Sequence, residues 1–427
     1  MSDCVIPNEL VAPLFVPSTF SDRARVEGML ARLRKDYPLS KAEVPGYDPH
    51  WIVTKYNDVR EVSRLDDIFH SGDRSKTIAS RVAEQMMREY SGGQPHIFRT
   101  LVHMDKPDHT AYRDVTKDTF MPQNVAKLEE GIRETARRYI DKMEKHGNEM
   151  DFSTEISMQF PLEVICTLIG LPKEDHSMML RLTQWFLSYA DPDLCRPGSN
   201  IADPAQQIQT WQIVYDEFKN YYSKVIKDRQ ANPRHDIAST IANGKVNGCP
   251  MEERSMISYF VIASTAGHDT TAATIANGMW TLAQDPELLA KLKADPSLIP
   301  GFVEECIRWT CPAVAFVRSA AQDYELSGRQ IKKGDLLYVS YLSANRDEEV
   351  FEDANVFKAD RKPNRHISFS YGSHICIGQH LARLELRVFW EELIPRLKTL
   401  SMAGEGKWQD SEFVVGPKYV PIRYEFN

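Results

Sequence analysis

Apolar residues recur at helical spacing through most of the middle of the chain, and strand-like alternation is confined to short stretches on either side. Residues 21–36 are amphipathic, with Ser21 or Asp22 placed to cap them and Pro38 beyond the end, which predicts a helix. Trp51-Ile-Val-Thr-Lys55 alternates as a short strand does. The spacing then predicts helices over 107–119, 123–146, 153–170, 174–188, 204–229, 252–283, 286–294 and 299–310. Asp285-Pro286 and Asp295-Pro296 each join a capping residue to a proline, as helix starts commonly do. Short β-type runs follow between 313 and 342, with turns at Ser327-Gly328 and Lys333-Gly334, and again after 411. The fold class implied is mainly α with a smaller, segregated β part. Irregular stretches at 91–106 and 190–203 lie between helices, where long loops either cover a site or simply cross the surface.

The apolar stretch Ile257–Leu282 is long enough to be weighed as a membrane span. Asp269 in its middle, with several hydroxyls and an amide, argues instead for a buried central helix. Ala266-Gly-His-Asp-Thr-Thr271 places a glycine, a carboxylate and β-branched hydroxyls where stronger helix formers would be expected. The small residues permit close approach to the backbone, and Asp269 and Thr270 offer an acid and an alcohol for proton relay. A kink whose hydroxyls bond back to the preceding turn is the alternative.

Phe369-Ser-Tyr-Gly-Ser-His-Ile-Cys-Ile-Gly378 presents Cys376 on a glycine-framed loop, just before a helix with Leu381, Leu384, Val388 and Phe389 on one side. Gly378 has no Cβ to obstruct a flat group lying against the chain. The helix start favours a thiolate, which is either a nucleophile or a metal ligand. Glu305 and Arg308, at i and i+3 among Phe302, Val303, Ile307 and Trp309, predict a buried ion pair that Arg361 completes as a triad.

Composition narrows the setting. The 427 residues hold 42% hydrophobic and 26% charged residues, ordinary for a globule with a large core. No Gly/Ser tract or repeat divides them, so one domain over 1–427 is expected. A net charge of −8 without a basic block argues against nucleic acid as the main partner. The seven cysteines (Cys4, Cys166, Cys195, Cys249, Cys306, Cys311 and Cys376) include no C-x-x-C pair, which disfavours zinc ribbons and fits a reducing compartment. The first apolar run, Leu10–Val16, is short and broken by Pro13, so a cytoplasmic protein without a signal sequence or membrane anchor is expected.

Together these segments resemble the cytochrome P450 family through most of the chain. Phe369…Gly372…Cys376…Gly378 is similar to its haem-binding signature, Ala266–Thr271 to its oxygen-activating helix, and Glu305…Arg308 to its invariant helix pair. Asp105–Arg113 resembles its propionate-binding helix. The resemblance implies haem b with Cys376 as the iron ligand, and His109, Arg113, Arg318 and His374 on the propionates. It also places Ala266, Phe369 and Gly378 against the haem, and makes Asp269 and Thr270 the proton-delivering pair. Ser370 stands where the family usually has glycine, and a negative φ would accommodate it.

The pattern looks like the soluble bacterial branch. Ser91–His96, Ser343–Phe351 and Gly416–Arg423 are similar to segments of its α-terpineol-hydroxylating group. The implied activity is O2-dependent insertion of one oxygen atom into a C–H bond of a small hydrophobic substrate, a monoterpenoid or alkyl-aromatic. Electrons would come from a [2Fe-2S] ferredoxin and its NAD(P)H-dependent reductase, and the protein would be a monomer. Phe98, Leu101, Ile262, Ala266, Val314, Phe316, Phe413 and Val414 are the expected pocket walls, with core packing as the alternative for each. A peroxygenase using hydrogen peroxide and a non-enzymatic haem gas-binding protein are the rival functions. No partner base for a nucleophile is suggested near Cys376, so a haem ligand is the better reading of that cysteine.

Overall fold

The computed structural model describes residues 5–427, so Cys4 lies outside the described residues. Helices dominate, and the strands gather to one side, as the periodicities require. The helix Arg23–Asp36 is capped by the Asp22 side chain, which accepts from the Arg25 N–H. Asp285 and Asp295 cap their proline-led helical segments in the same way.

The largest sheet has five strands in the order Ser40–Ala42, His50–Val53, Leu336–Ser340, Ala315–Ala320 and Phe69–His70. The parallel pairing of His50–Val53 with Leu336–Ser340 joins segments far apart in sequence. Ser327 and Gly328, at φ 45° and 75°, make the tight turn between Tyr324–Leu326 and Arg329–Ile331. Two apolar cores result. One unites the long helices, and the other packs the sheet against the N-terminal segments.

The central helix runs without interruption from Glu253 to Gln284. Its notch does not break it: Ser264, Thr265, Thr270, Thr274 and Thr281 all return their hydroxyls to a carbonyl four residues back. No described helix is long and apolar enough to cross a membrane.

Several boundaries differ from the sequence pattern. The helix expected over 107–119 ends at Arg113, and a 3-10 turn follows at Lys117–Phe120. Thr116 lies between them, with its hydroxyl paired to the Tyr259 hydroxyl at 2.7 Å. The segment expected from 153 opens as a π turn, Ser153–Ser157, before the α-helix Gln159–Ile169. Helices at Tyr56–Arg64, Arg81–Tyr90 and Ile237–Ala242 were not expected from the pattern.

Candidate active site

Cys376 is positioned by backbone alone. Its N–H donates to the Phe369 carbonyl at 2.8 Å, and Ile375 N–H donates to Gly372 at 3.1 Å, closing the loop on itself. Gly372 holds φ 76°, and a Cβ there would meet the Ser63 carbonyl oxygen at 2.7 Å, so both conformation and space demand glycine. Ser370 departs from expectation. It adopts φ 66° rather than a negative value, held by Ser370 N–H to Ile367 O and by a 2.9 Å hydroxyl pair with Tyr341.

The sulfur's open side faces a cavity of about 580 Å³ and protein encloses the rest. Burial pushes its thiol up, while the Gly378 N–H and the guanidiniums of Arg113 and Arg383 pull it down. A Cβ at Gly378 would have only that sulfur within van der Waals reach, at 3.9 Å, which leaves a cradle against the chain.

Nitrogen-bearing side chains gather beside this loop. The His109 and His374 rings stack 4.0 Å apart, and Arg113 donates from Nη2 to the Ile375 carbonyl at 2.7 Å. His109 Nδ1 has no partner, and burial followed by the nearby Arg113 holds its imidazole down at about 4. Arg318 lies over the Phe316 ring at 5.5 Å, and its charge adds to burial in depressing His374. These groups fit an anionic, flat cofactor: a glycine cradle beside the thiol, and buried cations or unpartnered imidazoles near it.

Phe98, Leu101, Ile262, Ala266, Phe316, Phe369, Phe413 and Val414 line the cavity with His109, Arg113, Thr270, His374, Cys376 and Gly378. Both irregular stretches contribute, through residues 95–98 and 100–103 and through Ala202. Val314 is a correction: it is buried in the sheet-side core and is not among the cavity-lining residues, whereas Ala313 and Phe316 are.

Asp269 and Thr270 diverge. Thr270 faces the cavity, whereas Asp269 borders a separate space of about 20 Å³ among Ser157, Gln184, Ser188 and Gln409, enough for one water.

The ion pair beneath the loop is complete. Arg308 donates to both Glu305 oxygens at 2.7 and 2.8 Å, and Arg361 Nε lies 3.1 Å from each. Lys358 N–H and Asn364 add bonds at 2.9 and 3.1 Å. Burial alone would raise the Glu305 carboxyl, but these partners hold it below the usual carboxylate range.

The polar residues of the cavity wall that sequence reasoning missed include Lys76, His96, Glu385 and Glu412. Glu385 was discoverable, since it interrupts the apolar face made by Leu381, Leu384, Val388 and Phe389. Glu412 accepts from the Tyr189 hydroxyl at 2.5 Å, a contact between segments that no local pattern connects.

Residues 44–419 match the family model for cytochrome P450. The chain is 38% identical over 423 residues to cytochrome P450-terp of a Pseudomonas species, covering 98% of each chain. It is 29% identical over 395 residues to linalool 8-monooxygenase of Pseudomonas putida, covering 92% of this chain and 94% of that one. The crystal structure of CYP108D1 from Novosphingobium aromaticivorans aligns with a TM-score of 0.91 at 37% identity, over 99% of this chain and 100% of that one. With a thiol, a glycine cradle and a cationic rim at one cavity, and a family match over most of its length, the chain belongs to the cytochrome P450 family and is a haem b monooxygenase.

Proposed function

We propose that this P450 hydroxylates a compact hydrophobic substrate, a monoterpenoid or alkyl-substituted aromatic, using O2 and electrons from a [2Fe-2S] ferredoxin served by an NAD(P)H-dependent reductase. The observation that carries the reading is the cavity itself. About 580 Å³ is open to cofactor and substrate together, with mostly apolar walls and with Thr270 and Cys376 both lining it. The names of the relatives, a linalool 8-monooxygenase among them, support the terpenoid class.

Haem, when bound, supplies dioxygen binding and O–O cleavage favoured by thiolate donation. Cys376 would hold the metal, and the loop bonds that the Phe369 and Gly372 carbonyls accept keep the cysteine in place. His109, Arg113, Arg318 and His374 are the proposed propionate partners. Thr270 Oγ1 donates to the Ala266 carbonyl at 2.8 Å, so its oxygen keeps lone pairs free to accept a hydrogen bond in the cavity and so to orient a proton donor there. Asp269, on the water-sized space behind, would pass protons from that side through water. The wall residues Phe98, Leu101, Ile262, Phe316, Phe413 and Val414 orient the substrate and exclude water. A monomeric cytoplasmic protein of one domain, meeting its ferredoxin on the cysteine-loop side, completes the proposal.

Screening small terpenes and alkylbenzenes for a low-to-high-spin Soret shift, followed by NADH-driven turnover, tests the reading. A shift with NADH-dependent product supports it. Turnover driven by hydrogen peroxide alone would favour a peroxygenase, and binding without product a gas-binding protein.

A further inference from the structure

The Lys76 side chain is buried with no carboxylate in ion-pair contact among the described residues, and burial pushes its ammonium well below the usual lysine range. It is 4% exposed and lines the main cavity. Its backbone is fixed to the sheet, because Val317 N–H donates to the Lys76 carbonyl at 2.8 Å. Its Nζ donates to the carbonyls of Ser71 and Val317, both at 3.1 Å. An ammonium has three N–H groups, so one remains uncommitted.

The nearest acids are occupied elsewhere. Asp105 accepts from the N–H groups of Ser71 and Gly72 at 2.6 and 2.8 Å, and Asp73 from the Ser319 hydroxyl at 2.9 Å. Arg318 is 5% exposed and donates from Nη1 to the carbonyl of its own neighbour, Val317, at 3.1 Å. His96, 8% exposed and also on the cavity wall, has neither ring nitrogen partnered. Lys76 and Arg318 both bear on His374, two residues from Cys376. Lys76 and the unpartnered His96 line the cavity and Arg318, off its wall, acts with Lys76 on His374, so this corner gathers positive charge that no carboxylate among the described residues pairs.

We infer that Lys76 is a haem-propionate ligand, donating its third N–H to a carboxylate that Arg318 and His374 also face. Haem b carries two carboxylates, and Cys376, its proposed ligand, lines the same cavity as Lys76. A carboxylate on the substrate has the same chemistry, and the experiment separates the two sources.

Holoenzyme carrying Lys76→Met or Lys76→Arg would be mixed with excess apomyoglobin and haem transfer followed at the Soret band. The same would be done after reconstitution with iron protoporphyrin dimethyl ester, which has no propionate charge. Loss of one charge-assisted bond predicts about tenfold faster haem transfer from Lys76→Met, with near wild-type transfer from Lys76→Arg. With the ester, wild type and Lys76→Met should differ little, because the interaction is already gone.

Equal acceleration with haem and ester would make Lys76 a merely structural residue and overturn the inference. Unchanged haem transfer, with weakened binding of octanoate to the holoenzyme, would assign the corner to substrate and overturn it also. Should Lys76→Met not fold, a crystal structure of wild-type holoenzyme decides. Nζ in hydrogen-bond contact with a propionate oxygen supports the inference, and a propionate turned away from Lys76 overturns it.

Discussion

His268 Nδ1 lies 2.9 Å from Asp269 Oδ1, while His268 Nε2 lies 2.7 Å from the Met158 carbonyl. A carbonyl only accepts, so Nε2 carries the proton and the fully buried ring is anchored to the π-turn segment. The Nδ1 contact is close but not aligned as a hydrogen bond. Asp269 is thereby kept beside the water-sized space, and Thr270, one residue on, faces the reaction cavity. The proposed acid and alcohol sit on two sides of one helix wall.

Thr270→Ala removes a hydroxyl that donates to its own helix, so the fold should tolerate it within about 0.5 kcal/mol. Product formed per NADH should fall and peroxide release should rise, read by parallel product and peroxide assays. Asp269→Asn should slow turnover by about 10²-fold, the scale of a lost general acid. Tight coupling retained in Thr270→Ala would remove that residue from proton delivery.

Glu305→Ala strands the Arg308 guanidinium, which is wholly buried, and should cost about 3–5 kcal/mol. The carboxyl's folded pKa lies below its unfolded value of about 4.3, so its contribution is fully present above that pH. It is lost as the pH falls through the lower folded value. Thermal unfolding between neutral and acid pH should show a shallower acid limb in Glu305→Gln than in wild type.

Glu385 presents the opposite sign. Burial alone raises its carboxyl far above the ordinary value, and its Oε2 is unpartnered. The unfolded chain loses this proton first, so folding becomes less favourable as pH rises above about 4.3. Glu385→Gln should therefore be more stable than wild type at neutral pH by about 1–3 kcal/mol. The gap should close on acidification, as melting curves across that range would show.

Ser370 holds a left-handed conformation that disfavours a Cβ by about 1–2 kcal/mol. Glycine would relieve this but forfeit the Tyr341 contact and add freedom to the unfolded chain, so Ser370→Gly should lie within about 1 kcal/mol of wild type. Ser370→Val, β-branched at positive φ, should lose stability and haem loading together. Melting temperature and the ratio of Soret to protein absorbance check both.

What was legible in the sequence was contiguous. The cysteine loop, the 266–271 notch and the Glu305…Arg308 pair each announce themselves within ten residues, because backbone geometry or a single helix face dictates them. The long helices were equally plain from their periodicity, while Tyr56–Arg64 and Arg81–Tyr90 lie in stretches where no such pattern was assigned. Lys76, His96 and Glu412 were hidden for a different reason. Their meaning depends on partners brought in from elsewhere, such as Val317 for Lys76 and Tyr189 for Glu412. Val314 lies just before the strand Ala315–Ala320 and is buried in the sheet-side core, a placement that no local pattern fixes.

The most direct test of the proposed activity is turnover under 18O2 with a ferredoxin, its reductase and NADH, using a terpene or alkylbenzene that produces a spin shift. Mass spectrometry should find one 18O atom in the alcohol product, and Cys376→Ser should abolish both that product and the red-shifted Soret band of the reduced carbon monoxide complex. Product lacking the label, or no product from a haem-loaded, ferredoxin-reduced enzyme with bound substrate, would contradict the account.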